Sequence, residues 1–532
     1  MQGTMMNVPL TIERIMHSAE RVTGHVEIVS RRPDKSIHRT TYAEVVARAR
    51  RLARALIGAG VSKGDRVATL MWNHAAHLEA YLGVPLAGAV IHTLNLRLHP
   101  DEIGFIASDA GDKVLLVDEV LLPLLEKFRA KAGFEKIVVV GKAPAGLPDY
   151  ETFLAGAPEV RLPALHEEDA LGMCYTSGTT GKPKGVVYTH RSTVLHSLVS
   201  ALPDSLGLSR ADTLLPVVPM FHVNAWGLPY TATLVGTKQV HPGPHLDAES
   251  LLDLMEKEQV TVAAGVPTIW MGIRQLLEAS PDRFKLRPGV RMIVGGSAAP
   301  EQLIRDFDKH GLEIIHAWGM TETSPIGLVS RVPPELSQLS YEEKLRLRSK
   351  QGLPSALVDL VVRNEQGVVP QDGKTSGEVL IRGPWITERY ATANDPSRWT
   401  ADGYFRTGDV ANVDQHGIVQ LTDRIADLIK SGGEWIASVE LENALMGHPS
   451  VQEAAVVGAP HPKWSERPVA VVVLKPGASA TPAELSGFLG AKFAKFWLPD
   501  EYVFVDAIPR TSAGKFKKTE LRERFKGIFG GL

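Results

Sequence analysis

The chain has 532 residues, which is more than three times the length of a typical domain of about 150 residues. This length argues against a single domain with one core. Its 58 Lys and Arg residues nearly balance 60 Asp and Glu residues, and the net charge of −2 argues against nonspecific binding of nucleic acid or of an anionic membrane. With 44% hydrophobic and 22% charged residues, the composition excludes a disordered chain and favours a globular protein.

The single cysteine, Cys174, excludes an intrachain disulfide and a cysteine-based zinc site. The start of the chain has no secretory signal pattern, so we expect a cytoplasmic protein. The longest segment without Asp, Glu, Lys or Arg, residues 213–237, is long enough to span a bilayer but contains Pro216, Pro219 and Pro229. We therefore expect strands and turns there and no integral membrane segment.

Helical and strand patterns alternate up to about residue 420. A helical pattern at 41–56 precedes an apolar strand pattern at 66–72. Further strand patterns lie at 89–93, 113–117, 136–140, 260–264 and 291–295, and further helical patterns lie at 248–258 and 300–310. This alternation predicts an α/β fold with parallel-rich sheets covered by helices on both faces.

The pattern changes at about residue 358 to short strands with glycine turns, which predicts a small antiparallel or β-barrel-like subdomain. These strand patterns lie at 357–362, 377–382 and 419–422. After residues 422–427 the chain has helical patterns at 438–446 and 481–495 and strand patterns at 451–458 and 469–474. We therefore place a domain boundary at 422–427, followed by a small α+β domain.

The segment 175–185 reads Tyr-Thr-Ser-Gly-Thr-Thr-Gly-Lys-Pro-Lys-Gly and lies between two apolar strand patterns. Its glycines let the backbone turn N–H groups inward, and its hydroxyls, Lys182 and Lys184 add donors and charge, which suits a polyphosphate. It differs from a Walker A loop, because Thr176 and Pro183 stand where that motif needs Gly and Ser or Thr. A polar hairpin is the alternative interpretation.

At this loop the chain resembles the adenylate-forming superfamily, which comprises acyl-coenzyme A synthetases, firefly luciferase and the adenylation domains of peptide synthetases. Four further motifs similar to that family's follow in order. They are His-Ala-Trp-Gly-Met-Thr-Glu-Thr at 316–323, Tyr-Phe-Arg-Thr-Gly-Asp at 404–409, Ser-Gly-Gly-Glu at 431–434 and Pro-Arg-Thr-Ser-Ala-Gly-Lys at 509–515. The resemblance implies ATP and coenzyme A as substrates and Mg²⁺ as cofactor.

The resemblance also implies a role for individual residues. It implies that Lys515, Thr321 and Glu322 are catalytic, and that Glu322 and Thr176 hold the metal. The implied ATP- or AMP-binding residues are Thr176, Ser177, Gly178, Thr179, Thr180, Gly181, Lys182, Gly296, Ser297, Ala298, His316, Trp318, Gly319, Met320, Asp409 and Arg424. The implied acyl pocket contains His222, Val223, Asn224 and Trp226, and the implied coenzyme A channel contains Ser431, Gly432, Gly433, Glu434 and Trp435.

The residue types agree with these roles, although each has a simpler alternative. Mg²⁺ typically takes one or two carboxylates and completes its shell with phosphate oxygens and water, so Glu322 is sufficient; alone it would be a solvated glutamate. Asp409 can accept hydrogen bonds from a ribose diol, or it is a turn aspartate. Lys515 can bring positive charge to two approaching anions, or it is a solvated lysine. His222 and Trp226 are equally compatible with a core position.

The resemblance implies three parts: a large domain at 1–423, a hinge at 424–427 and a small mobile domain at 428–532. Lys515 must leave the adenylate before a thiol enters, and rotation at the hinge would replace it with the glycine loop at 431–433. Two residues depart from the family pattern. Ala426 stands where many members have Asp or Lys, and Ser465 stands where glycine is common.

The segment 219–226 lacks the aspartate that members activating amino acids usually carry, so neutral acids fit better. The chain is most similar to bacterial medium- and long-chain fatty acyl-coenzyme A synthetases. This resemblance implies an acid:coenzyme A ligase acting on a small-molecule carboxylic acid, and it also implies a homodimer. The alternatives are a ligase for a short thioether acid such as 3-methylthiopropionate, a stand-alone enzyme that loads a carrier protein, and a nucleotide-binding regulatory protein without chemistry.

Overall fold

The computed structural model describes residues 1, 3–176, 182–432, 434–511 and 515–530. In chain order its strands are β1 (Glu27–Arg31), β2 (Ile37–Thr41), β3 (Arg66–Leu70), β4 (Val90–Thr93), β5 (Asp112–Asp118), β6 (Lys136–Val140), β7 (Ala170–Tyr175), β8 (Gly185–Thr189), β9 (Thr213–Pro216), β10 (Lys238–His241), β11 (Val262–Gly265), β12 (Val290–Val294), β13 (Leu312–Gly319), β14 (Ile326–Val329), β15 (Leu353–Pro354), β16 (Asp359–Asn364), β17 (Gly367–Val368), β18 (Gly377–Arg382), β19 (Phe405–Val413), β20 (Val419–Arg424), β21 (Ile429–Ser431), β22 (Glu434–Ile436), β23 (Val451–His461), β24 (Ser465–Leu474) and β25 (Glu501–Phe504).

The helical elements follow the same order. They are α1 (Ile12–Arg21), α2 (Tyr42–Gly58), α3 (Ala75–Leu86), α4 (Pro100–Ala110), α5 (Leu122–Leu125), α6 (Arg129–Ala132), α7 (Tyr150–Ala155), α8 (His190–Ala201), α9 (Val223–Trp226), α10 (Leu228–Val235), α11 (Ala248–Lys257), α12 (Pro267–Ala279), α13 (Glu301–Lys309), α14 (Tyr341–Ser349), α15 (Ser438–Met446), α16 (Pro482–Gly490) and α17 (Lys518–Phe525). Short 3₁₀ turns lie at Glu119–Leu121, Thr321–Thr323, Pro334–Leu336, Pro396–Arg398 and Lys495–Trp497. The element α9 is left-handed, with φ between 46° and 59° from Val223 to Trp226.

The strands of the large N-terminal part form two parallel-rich sheets and one antiparallel sheet. The first has the order β15-β14-β13-β12-β11-β9-β10-β1-β2, and its inner strands from β13 to β1 pair in parallel. The second, β6-β5-β3-β4-β7-β8, is parallel except for its edge strand β8. The third, β17-β16-β18-β19-β20, is antiparallel. The predicted α/β fold class is confirmed.

Helices fill the space between and outside the two parallel-rich sheets. One buried cluster joins Val67 and Ile91 of the second sheet to Ala264 and Ile293 of the first through α2 and α3. A second cluster covers the other face of the first sheet with α11–α13, and a third covers the second sheet with α4–α6. Burial of so many apolar side chains on both faces explains why these strands read as continuous apolar runs.

The C-terminal part has its own sheet, in which β22-β21-β24-β23 pair in antiparallel fashion and β25 joins β24 in parallel. Apolar clusters lie on both of its faces: α15 and α16 cover one, and α17 covers the other. Within the described residues, no helix is both long and apolar enough to cross a membrane.

Two predicted elements differ from the structure. The helix predicted at 481–495 ends at Gly490 and is followed by the 3₁₀ turn Lys495–Trp497, where Phe493 stacks on Trp497. The segment 213–237, predicted as strands and turns, contains one strand, the left-handed α9 and the helix α10. Pro229 lies in the first turn of α10, where a proline has no hydrogen bond to lose, so it starts a helix there instead of forming a turn.

Candidate active site

The predicted site residues lie mainly at one edge of the first sheet. The parallel strands β11, β12 and β13 end at Gly265, Val294 and Gly319, and the chain after each of them lines a common cavity of about 450 Å³. A ligand site at the carboxyl ends of parallel strands is the usual arrangement in α/β proteins. The antiparallel sheet and the C-terminal part close this edge from the opposite side.

This cavity brings together most of the predicted residues. It is lined by Thr176, Lys182, His222, Val223, Trp226, Gly296, Trp318, Gly319, Met320, Thr321, Glu322, Arg424 and Lys515. An adjoining cavity of about 300 Å³ between the N- and C-terminal parts is lined by Gly296, Ser297, Ala298, His316, Trp318, Gly319, Asp409, Arg424 and Lys515. The predicted residues Ser177, Gly178, Thr179, Thr180, Gly181 and Gly433 lie outside the described residues.

Lys515 lines both cavities, although it belongs to the C-terminal part of the chain. Its backbone is held by Thr511, whose N–H donates to the Lys515 carbonyl at 2.7 Å and whose hydroxyl accepts the Lys515 N–H at 3.2 Å. Loss of hydration and repulsion by Arg424 lower the pKa of Lys515 to about 8, while Asp409 and Glu322 act in the opposite direction. The side chain therefore remains mainly protonated at neutral pH.

Thr321 and Glu322 form a buried 3₁₀ turn just after β13. The Tyr390 hydroxyl donates to Glu322 Oε1 at 2.8 Å, and the Tyr188 hydroxyl donates to the Thr321 carbonyl at 2.9 Å. Burial, followed by the charge of Glu322, raises the pKa of Tyr390, so this hydroxyl stays a donor. Tyr390 is not among the residues predicted from the sequence, and no motif around it indicates this contact.

Asp409 is the centre of a second polar group. The Trp318 Nε1–H donates to Asp409 Oδ2 at 2.9 Å, and Arg424 Nε lies 3.2 Å from Asp409 Oδ1. The attraction of Asp409 raises the pKa of Arg424. Three predicted residues from β13, β19 and β20 are thus joined by hydrogen bonding and ion pairing around one buried carboxylate.

His316 is buried on β13 and lines the adjoining cavity. Its Nδ1–H donates to the Ser349 carbonyl at 3.1 Å, and burial lowers its pKa to about 4. His222, which lines the larger cavity, also has its pKa lowered to about 4, first by burial and then by the charges of Lys515 and Arg97. Both imidazoles are therefore neutral at neutral pH.

The two lysines of the glycine-rich loop differ in their surroundings. Lys184 pairs with Asp395 at 2.7 Å and lies over the Tyr390 ring at 4.8 Å, whereas Lys182 lies over the Phe105 ring at 5.4 Å. The Thr176 N–H donates to the Lys184 carbonyl at 2.9 Å, which closes the base of the loop. Both lysines line the larger cavity.

The larger cavity also has an apolar wall. It is formed by Leu206, Val223, Trp226, Val266, Ile293 and Ile326. A Cβ atom on Gly295 would lie 2.9 Å from the Trp226 ring, so a residue with a side chain cannot replace this glycine without displacing the indole. Asn224 does not line either cavity; its Oδ1 accepts the Cys174 thiol at 3.4 Å in the buried interior.

The described residues of the segment predicted for coenzyme A do not line either cavity. Ser431 is buried and its hydroxyl accepts Arg467 Nη1 at 2.9 Å, while Trp435 is 54% exposed with Lys430 over its ring at 5.5 Å. Gly432 has φ of 60°, and its N–H donates to the Trp464 carbonyl at 2.8 Å. Neither Ser431, Gly432, Glu434 nor Trp435 is among the described residues that line the cavities.

The sequence matches two family profiles. The AMP-binding enzyme family matches residues 15–391, and the AMP-binding enzyme C-terminal domain matches residues 440–515. Together these matches cover the motifs at 316–323 and 509–515, and they leave residues 392–439 between them.

The relatives and solved structures that the chain resembles cover nearly its whole length. It is 54% identical to the long-chain-fatty-acid–CoA ligase of Thermus thermophilus, with 99% of this chain and 98% of that protein aligned. It is 43% identical to the medium-chain-fatty-acid–CoA ligase of Ectopseudomonas oleovorans (99% and 98% aligned) and to the 3-methylmercaptopropionyl-CoA ligase of Ruegeria pomeroyi (100% of both). Its fold matches the crystal structure of the anthranilate CoA ligase AuaEII in complex with anthranoyl-AMP with a TM-score of 0.88, at 26% identity over 100% of both chains.

Proposed function

Because this chain belongs to the AMP-binding enzyme family of the adenylate-forming superfamily, we propose that it is an ATP-dependent fatty acid:coenzyme A ligase that releases AMP. One observation carries the proposal: Lys515, Thr321 and Glu322 line a cavity that also has an apolar wall. The polar residues suit a polyphosphate and a carboxylate, and the apolar wall suits a hydrocarbon chain.

In the first half-reaction, an oxygen of the fatty acid carboxylate attacks the α-phosphorus of ATP, and the bond from that phosphorus to pyrophosphate breaks. Both reactants are anions, so a protonated Lys515 between them reduces their repulsion and stabilises the charge on the phosphoryl oxygens. The Thr321 hydroxyl is a donor for the same oxygens. In this proposal Asp409 accepts hydrogen bonds from the ribose, and Trp318 and Arg424 hold its carboxylate.

In the second half-reaction, the coenzyme A thiol loses its proton, its sulfur attacks the acyl carbon, and AMP leaves. This step needs open access to the acyl carbon, and Lys515 lies in that cavity in the present structure. We propose that the large domain at 1–423 and the small domain at 428–532 rotate at 424–427, so that the loop 431–435 replaces Lys515. Arg522 bonds Asp427 at 2.6 Å and the Ala426 carbonyl at 3.3 Å, and these contacts would change on rotation.

The residues present fit Mg²⁺ bound together with ATP. Within the described residues there is no cluster of three or more His, Cys, Asp or Glu side chains able to hold a metal ion. Glu322 is a single buried carboxylate on the cavity, which suits an ion that obtains its other ligands from phosphates and water. In this proposal Glu322, with Thr176 nearby in the loop, would hold the ion, which supplies charge neutralisation to the phosphates.

A neutral acid is the substrate that the apolar wall favours, since the six side chains that form this wall carry no charge. The similarity to a 3-methylmercaptopropionyl-CoA ligase supports a short thioether acid as second candidate, because both acids would lie against the same apolar wall. We also propose that the protein is cytoplasmic, which its single cysteine supports, and that it forms a homodimer.

The test is a measurement of AMP release with a panel of straight-chain, branched, aromatic and thioether acids, with and without coenzyme A. We expect release that depends on both a straight-chain acid and coenzyme A. Preference for 3-methylthiopropionate would favour the second candidate, and transfer to a carrier protein without use of free coenzyme A would indicate a carrier-loading enzyme. If no acid stimulates pyrophosphate release, the proposed function is wrong.

A further inference from the structure

A short turn after α8, residues 203–208, contributes to the apolar wall of the larger cavity. Its residue Leu206 is 1% exposed and lines the cavity. The turn is closed on itself, since the N–H groups of Ser205 and Gly207 both donate to the Leu202 carbonyl at 3.0 and 3.1 Å. Leu206 is thus the point where this turn meets the cavity.

Two arginines, one on β12 and one just after β14, hold the backbone of this turn. Arg291 Nη1 donates to the carbonyls of Leu206 at 3.1 Å and Gly207 at 2.8 Å. Arg331 donates through Nε to the Ser205 carbonyl at 3.0 Å and through Nη2 to the Leu206 carbonyl at 3.4 Å. The carbonyl groups of three successive residues are therefore fixed by two guanidinium groups, which are rigid and planar donors.

The arginines are themselves held in place. Arg291 Nη2 lies 2.5 Å from Asp212 Oδ1, and Asp212 in turn accepts the Ser209 N–H at 2.8 Å. Gly207 has φ of 66°, and a Cβ atom there would lie 3.1 Å from Arg291 Nη1 and 3.3 Å from Arg331 Nη2. The glycine thus lets both guanidinium groups approach the backbone closely.

The same strands form the wall of the cavity. Arg291 and Ile293 lie two residues apart on β12, so their side chains are on the same face of that strand, and Ile293 lines the cavity. Arg331 follows β14, which begins with the lining residue Ile326. Arg291 and Arg331 therefore connect the turn at 203–208 to β12 and β14, which contribute residues to the wall of the cavity.

From this geometry we propose that Leu206 is the stop that limits the length of the acyl chain, and that Arg291 and Arg331 are the positioning residues that hold it there. The inference rests on the proposed function and deepens it, because it assigns substrate selection to a turn outside the adenylate motifs. An acyl chain long enough to reach Leu206 must displace the Leu206 side chain. The hydrogen bonds from Arg291 and Arg331 keep the backbone of the turn from moving away.

The first test measures kcat/KM for saturated straight-chain acids of increasing length in Leu206→Ala and Leu206→Phe. For Leu206→Ala we expect the ratio of longer to shorter acids to rise by about tenfold or more, the range that one or two methylene groups give in an apolar pocket. Leu206→Phe should shift the profile in the opposite direction. An unchanged length profile in both folded variants would overturn the inference.

The second test addresses the positioning residues. Arg331→Met removes the donors but keeps most of the side-chain volume, and it should lower KM for acids longer than the wild-type optimum more than it changes kcat. Arg331→Lys should restore the wild-type profile in part, because one charged donor remains. Arg305→Met is the matched control, since Arg305 pairs with the carboxylate of Glu342 and does not contact this turn. Equal losses for all chain lengths in Arg331→Met would indicate a structural role only.

These measurements distinguish failure of the proposed ligase function from failure of the proposed role of Leu206. If the wild-type enzyme converts no acid, the proposed function is wrong, and displacement of a fluorescent fatty acid by the same acids still measures the effect of Leu206 on chain length. If the wild-type enzyme is active but the length profiles of the Leu206 variants match its own, only the present inference is wrong.

Discussion

Two predicted functional segments of the C-terminal part differ in where their described residues lie relative to the larger cavity. Lys515 lines it together with residues of the large N-terminal part. Ser431, Gly432, Glu434 and Trp435 do not line it, and Trp435 is exposed. In the proposed mechanism the segment 431–435 takes the place of Lys515 in the second half-reaction. We therefore expect variants of Lys515 and of the segment 431–435 to affect different half-reactions.

The largest expected effect is that of Lys515→Ala. Removal of the ammonium group should slow adenylate formation by roughly 10²–10³, as for other lost electrostatic donors. Thioester formation from preformed acyl-adenylate should be nearly unchanged, which rapid-quench measurement of each half-reaction can establish. Lys526→Ala, in which the exposed partner of Glu523 is removed, is the control. Equal losses in both half-reactions would refute this division between Lys515 and the segment 431–435.

The pH dependence of adenylate formation follows from the same lysine. The pKa of Lys515 is lowered to about 8, so its charged form is present below this pH and is lost above it. We expect kcat/KM for ATP at pH 9 to be about tenfold below its plateau value. The reason is that the protonated fraction of Lys515 falls about tenfold for each pH unit above its pKa. Lys515→Arg keeps its charge and should lack this step. A decrease of the same size in that variant would assign the titration to another group.

Gly432→Ala tests the segment 431–435. Gly432 has φ of 60°, and its Cβ would lie 2.9 Å from the Trp464 ring, so the loop must distort. A distortion of about 1–3 kcal/mol corresponds to roughly 5- to 150-fold in rate, and we expect this loss in thioester formation only. Gly487→Ala on α16 is the control, because a Cβ there meets no atom within 4 Å. A loss in adenylate formation instead would contradict the prediction.

The smallest effect concerns Ser465, where the family commonly has glycine. Ser465 has φ of 70°, a conformation that costs a residue with a side chain about 1 kcal/mol or more. Ser465→Gly should therefore raise the free energy of unfolding of the C-terminal part by about 1 kcal/mol in urea denaturation and leave adenylate formation unchanged. Ser479→Gly, where φ is not positive, should give no gain. Equal stabilities of the two variants would show that Ser465 is not strained.

Regular local patterns predicted much of the fold. The helix at Ser438–Met446 and the strands at Lys136–Val140 and Gly377–Arg382 have the predicted bounds, because apolar periodicity and flanking glycines or polar residues define them locally. The left-handed turn at 223–226 was not predictable, since β-branched Val223 disfavours positive φ and only the surrounding core imposes it.

The candidate site shows the same limit. The motif residues Thr321, Glu322, Asp409 and Lys515 were named from the sequence, and their roles remain predictions although the structure places them around adjoining cavities. Tyr390, which bonds Glu322, and the Arg331 contacts with the turn at 203–208 were not found, because they join segments 68 and 125–126 residues apart in the chain. Such pairings depend on tertiary contacts that carry no local pattern.

Cys174 has a practical consequence for a protein proposed to act on a thiol substrate. Its Sγ–H donates to Asn224 in the interior, and burial raises its pKa, so the thiolate form is scarce. Disulfide exchange needs an accessible thiolate, and the sequence contains no other cysteine. The folded protein should therefore form no mixed disulfide with coenzyme A, and a chromogenic thiol reagent should report consumption of the cosubstrate without a background from the enzyme.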